Sequence, residues 1–99
     1  MANSLLILSA AERDLSEAFA WYENHQSGLG LDFLRAVDAR VCSIEHTPEI
    51  CGFIERHYRS AMVRRFPYMI LYTYSEGIVT IYAVFHTSQD PHKWRSRLP

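Results

Sequence analysis

Sulfur, membrane-length apolar runs and strong net charge are all scarce in this chain. Only two cysteines occur, Cys42 and Cys51, with neither C-x-x-C spacing nor enough partners for a disulfide framework. Both are expected as reduced thiols, Cys42 in the core and Cys51 in a loop. The longest apolar run, SLLILSAA from Ser4, falls well short of the roughly 20 residues that cross a bilayer. No basic stretch precedes it, so it makes a poor secretory signal, and a cytoplasmic location with no membrane partner is expected. Linkers, repeats and low-complexity segments are absent, so residues 1–99 are read as a single domain, long enough to bury roughly 65% of its extended surface. No pair among the five histidines has ligand spacing with a third partner. No metal and no cofactor are expected.

The net charge of −1 hides an uneven distribution. Residues 1–51 carry three Arg or Lys against eight Asp or Glu, and residues 52–99 carry seven against three. An acidic first half and a basic second half suit either two layers that attract each other or a face that meets an anionic partner.

Periodicity divides the chain in the same place. SLLIL (4–8) reads as a short strand. Ser9 and Glu12 form S-x-x-E, which predicts a capping box opening a helix. Leu15, Ala18, Phe19 and Tyr22 give that helix one apolar stripe, with Trp21 at its edge, and Ser27-Gly28 ends it. A second helix begins near residues 29–32 and carries Phe33, Val37, Val41 and Ile44 on one face. It ends before HTPE (46–49), where Pro48 cannot continue the ladder.

After residue 52 the pattern turns to strands. FIERHYRSAMVRRF (53–66) contains an alternation that predicts one strand with Arg64 and Arg65 on opposite sheet faces. YMILYTY (68–74) and IVTIYAVFH (78–86) flank SEG, which is hairpin chemistry. Asp90-Pro91 reads as N-cap and first position of a short final helix. The expected fold is α+β, in the order β-α-α-β-β-β-α, with an antiparallel helical hairpin on one face of a mostly antiparallel sheet.

Three segments carry a family resemblance: AAERDLSEAFAWYENHQSGLGLDFLRAVDA (10–39), RRFPYMILY (64–72) and IVTIYAVFHTSQDPHKW (78–94). Together, and in this order, they resemble the RelE/ParE superfamily of toxins from type II toxin–antitoxin pairs, systems of plasmid stabilization and growth arrest. The resemblance implies a cytoplasmic toxin neutralised by a cognate antitoxin, with operator DNA reached only through that antitoxin. It leaves two targets open. ParE-like members poison DNA gyrase by binding, and RelE-like members cut messenger RNA on the ribosome.

A nuclease that uses the RNA's own 2′-hydroxyl needs a base, cations for the transition state and an acid for the leaving oxygen. Where RelE-like strands commonly read YRLVY, this chain has YMILY, with Met69 in place of the arginine. Thr87, Ser88 and Gln89 stand where basic residues are common, and no tyrosine follows Tyr82. A substitute set would have to come from Arg59, Arg64, Arg65 and His86, with His86 equally read as a strand-end cap. A gyrase inhibitor needs only a fitting surface, and such surfaces rely on Trp, Tyr and Arg anchors. The candidates are Trp21, Arg64, Arg65, Tyr68, Tyr72, His86, Lys93, Trp94, Arg95 and Arg97. Tyr68 or Tyr72 is expected on an open sheet face, and Trp94 has the competing reading of a pin that docks the last helix. These departures favour the ParE-like branch, a non-catalytic gyrase inhibitor; the alternatives are a ribosome-dependent messenger RNA endonuclease and a non-toxic, antitoxin-binding remnant of the fold.

Overall fold

A computed structural model describes residues 3–99. Strand β1 (Ser4–Ile7) leads into helices α1 (Ser9–His25) and α2 (Leu29–His46). Strands β2 (Phe53–Glu55), β3 (Tyr58–Met62), β4 (Tyr68–Ser75) and β5 (Ile78–His86) follow, and helix α3 (Pro91–Arg95) comes last. The strands form one sheet in the order β1-β5-β4-β3-β2, with β1 parallel to β5 and all other pairs antiparallel. The expected α+β arrangement holds, with one strand more than the pattern suggested. Arg56, at φ 47°, turns the chain between β2 and β3, so 53–66 is not a single strand.

The capping box does not form. Ser9 already lies inside α1, and the Glu12 N–H donates to the Leu8 carbonyl at 3.0 Å. The Leu8 N–H itself donates to Ile81 C=O at 3.1 Å, so the helix begins where the β1–β5 ladder stops and Ser9 has no non-helical residue's freedom. Capping chemistry appears instead at the start of α2. Glu23, near the end of α1, accepts from the Gly28 and Gly30 N–H groups at 3.0 Å each, an anion on a helix N-terminus.

The two helices approach closely at Gly30. A Cβ there would lie 2.7 Å from the Phe19 ring and 2.8 Å from the Phe19 carbonyl oxygen. The apolar stripes of α1 and α2 then meet the sheet. Ala18, Tyr22, Phe33, Val37 and Ile44 pack with Ile70, Tyr72, Val79, Ile81 and Val84. The opposite face carries a smaller cluster of Tyr58, Leu71, Ala83, Phe85 and Trp94, with Met69, Tyr82 and Leu98 against it. With both faces covered, Ile70 through Thr73 are all buried, as befits a strand that reads as a continuous apolar run.

A register shift puts Leu71 opposite Ala83 but Tyr72 opposite Ile81, leaving Tyr82 as the extra residue of a β-bulge. The bulge turns Tyr82 and Ala83 toward the same cluster. The β4–β5 turn has Glu76 at φ 51° and Gly77 at φ 77°, the double left-handed geometry of a two-residue hairpin.

Three expectations are corrected by this packing. Tyr72 is not on an open face: it is fully buried under the helices, and its hydroxyl donates to Pro48 C=O at 2.8 Å. Cys42 is exposed and Cys51 buried, the reverse of the expected pair; Cys42 follows Val41 and falls off the α2 stripe. Arg64 and Arg65 lie beyond the end of β3, both exposed, so strand alternation does not place them on opposite sheet faces.

Two outcomes are expected. Gly30→Ala should lower stability by about 1–3 kcal/mol in urea unfolding, because the new methyl meets a backbone carbonyl as well as a movable ring. Burial, then the neighbouring Cys51 thiol, raise the Tyr72 phenol above its ordinary 10.0. A raised folded value means that this stability is intact below the unfolded value and is lost as pH climbs through the folded one. Tyr72→Phe should therefore flatten the alkaline loss of stability while costing about 1 kcal/mol at neutral pH; unfolding curves at neutral and strongly alkaline pH check both.

Candidate functional site

Strand β1 pairs with β5 only from Ile78 to Ile81, while β5 continues to His86. Side chains take over the uncovered edge. Asp14 on α1 accepts from the Val84 N–H at 2.9 Å, and Arg97 donates to the Tyr82 carbonyl at 3.0 Å. The same two side chains pair with each other, the Arg97 Nη1 lying 3.0 and 2.9 Å from the Asp14 carboxylate oxygens. Their side chains are only 33% and 19% exposed, so this pair is less screened than an ordinary surface bridge. It ties α1, the β5 bulge and the C-terminal segment together.

Above that tie lies a cleft of about 670 Å³ between α1 and the chain that follows β5. Helix α1 contributes Asp14, Glu17, Trp21 and Tyr22; Tyr68 and Phe85 form part of the sheet side; His86, Gln89, Lys93, Trp94 and Arg97 complete the rim. Trp21 is 56% exposed and stacks on His25 at 3.8 Å, a large apolar surface held ready in water. The Tyr22 and Tyr68 rings sit 6.1 Å apart, and burial raises both hydroxyls above their usual ionisation. His86 packs edge-on against Tyr68 at 5.3 Å. Its Nδ1 accepts from the Ser88 N–H at 3.0 Å, which leaves the proton of the neutral ring on Nε2.

The structure thus brings Trp21, Tyr68, His86, Lys93, Trp94 and Arg97 to one cleft, and leaves other candidates elsewhere. Trp94 is 5% exposed and stacks on Phe85 at 5.4 Å, so it pins α3 to the sheet rather than standing free. Arg95 does not line the cleft; it pairs with Glu55 at 2.8 Å. Arg97 is no free cation either, since Asp14 neutralises it. Arg59 is engaged on the chain's own backbone, donating to Glu49 C=O at 3.1 Å and Cys51 C=O at 2.7 Å. Arg64 and Arg65 line a second cleft, formed with α2. The substitute nuclease set of Arg59, Arg64, Arg65 and His86 is therefore split between a backbone clamp and two separate clefts.

Asp14 and Glu17 line the cleft, and neither was among the candidates read from the sequence. A sequence signal for Asp14 existed in its place one residue before the stripe residue Leu15, but its partner is Arg97, far along the chain.

The fold agrees with the comparisons. The family model for the ParE toxin of type II toxin–antitoxin system, parDE, matches residues 5–91. This chain belongs to the ParE toxin family, as the resemblance and the departures at Met69 and 87–89 had suggested. Toxin ParE2 of Mycobacterium tuberculosis, in strains CDC 1551 / Oshkosh and ATCC 25618 / H37Rv, is 28% identical over 93 residues, spanning 93% of this chain and 89% of the relative. A solved structure of the chromosomal ParDE TA system from P. aeruginosa superposes with a TM-score of 0.76, covering 85% of this chain and 95% of that one. At 15% identity that likeness speaks for the fold alone.

Asp14→Ala is expected to cost about 2 kcal/mol, because it strands the Val84 N–H and the Arg97 guanidinium together. Arg97→Ala should cost about 1 kcal/mol, and the double variant less than the sum, since both act in one network. A double-mutant cycle by urea unfolding measures the coupling; strict additivity would show that the network carries no joint energy.

Proposed function

We propose that this toxin arrests growth by binding DNA gyrase in the cytoplasm, and that a cognate antitoxin neutralises it by occupying the cleft between α1 and the C-terminal segment. The observation that carries the reading is the contrast between the two kinds of site. The candidate nuclease residues are dispersed, with Arg59 consumed by backbone carbonyls, whereas the cleft concentrates anchors suited to a protein interface. Its aromatic wall of Trp21, Tyr22 and Tyr68, rimmed by Glu17, Lys93 and His86, fits an amphipathic segment that buries apolar side chains against the wall. Family membership supports the toxin and antitoxin roles, and the absence of an arginine at Met69 supports gyrase over the ribosome.

The purified toxin is expected to inhibit gyrase supercoiling and to accumulate cleaved DNA, without cutting messenger RNA on translating ribosomes. Cleaved messenger RNA with gyrase unaffected would overturn the reading. Trp21→Ala removes an anchor that packs chiefly on His25, so folding should be preserved. It is expected to weaken antitoxin binding by about 30-fold or more in calorimetry, the scale of an interface hot spot.

A further inference from the structure

The second cleft, of about 740 Å³, lies between the outer face of α2 and the connection from β3 to β4. Arg35, Arg40, Arg64 and Arg65 converge on it with Ser43 and Met62, and Asp32 is the one acidic residue in its lining. Asp32 does little to neutralise the four cations. It stands 3.8 Å from Arg35, and the two side chains are 42% and 72% exposed. Arg40 is held by long contacts, 3.5 Å to Ser43 Oγ and 3.4 Å to Cys51 Sγ, and its buried Nε has no hydrogen-bond partner. Neither Arg64 nor Arg65 enters an ion pair among the described residues. Arg65 also holds φ 72°, a left-handed backbone that an L residue keeps only when its surroundings impose it. The cluster is therefore one of like charges, partly unpartnered and partly held under backbone strain.

We propose that this cleft grips the phosphodiester backbone of duplex DNA. Planar guanidiniums match phosphate oxygens two at a time, and successive phosphates offer a row of such pairs. The lining contains no aromatic residue. Splayed single strands are normally held by stacking on aromatic rings, so this cleft suits a stacked duplex approached from its backbone. A protein segment would want an apolar floor like that of the first cleft, and Met62 is the only large apolar residue here. Such contacts read no sequence. They differ from the expectation that DNA is met only through the antitoxin, which concerns recognition of an operator. The choice of DNA over RNA rests on the gyrase reading; the phosphate contact does not.

The test uses the full chain without gyrase and a short fluorescein-labelled DNA duplex, titrated by anisotropy at several salt concentrations. Wild type should bind with a log–log salt slope of roughly −3 to −4, near one per arginine. In the double variant Arg64→Ala/Arg65→Gly, glycine relieves the left-handed backbone while removing the guanidinium, and circular dichroism verifies folding. Its slope should be shallower by about 2, with correspondingly weaker binding. Unchanged slope and affinity in the folded variant would overturn the proposal. Equal or tighter binding of duplex RNA would overturn the choice of DNA, and tighter binding of a polyglutamate peptide would reassign the cleft to an acidic protein segment. Inhibition of supercoiling by wild type is read separately: its absence alongside salt-sensitive duplex binding rejects the gyrase reading and leaves the cleft standing.

Discussion

Much of this molecule follows from a mismatch in strand length. β1 has four residues and β5 has nine, so the outer half of β5 has no neighbouring strand on that side. An uncovered edge offers unpaired backbone groups to any passing chain, and folded proteins rarely leave one bare. Here a carboxylate from α1 and a guanidinium from the C-terminal segment take the Val84 N–H and the Tyr82 carbonyl. Because those two groups also pair with each other, satisfying the edge fixes the distance between α1 and the tail. The aromatic cleft is the space left between them.

The same arrangement organises the end of the last strand. The bulge at Tyr82 turns two consecutive residues toward the cluster beneath α3. Trp94 fills that cluster and anchors the short helix, which in turn holds Lys93 at the cleft rim. His86 is fixed by Ser88 and leans on Tyr68. Each is oriented by packing, and none of Arg59, Arg64 and Arg65 lines the cleft that holds His86.

Two clefts on one small domain differ in kind. One joins aromatic rings with charges of both signs; the other joins four guanidiniums and has no ring in its lining. Buried apolar area favours a folded protein segment in the first, and charge density favours a polyanion in the second. The acidic excess of residues 1–51 does not cancel the second cluster, because Asp32 is the one carboxylate among them in its lining. Asp14 serves the sheet edge and Glu23 caps α2.

Local periodicity and turn chemistry were sufficient for the helices, the β4–β5 hairpin and the α3 N-cap, because each depends on residues a few positions apart. The helix stripes from Ala18 to Ile44 and the glycine at the hairpin turn needed no distant partner. Trp21 at the stripe's edge was legible for the same reason, whereas the burial of Trp94 depends on Phe85 and Leu71 of the sheet. Side-chain destinations were not. Tyr72 and Met69 look alike in an apolar run, yet opposite faces of β4 put one beneath the helices and the other beside Trp94. Arg59, Arg64, Arg65 and Arg97 share one charge in the sequence. One became a backbone clamp, two became lining of a cleft, and the last became the partner of Asp14. Those outcomes depended on contacts between residues from 8 to 83 positions apart, whose energies exist only once the fold has brought them within reach.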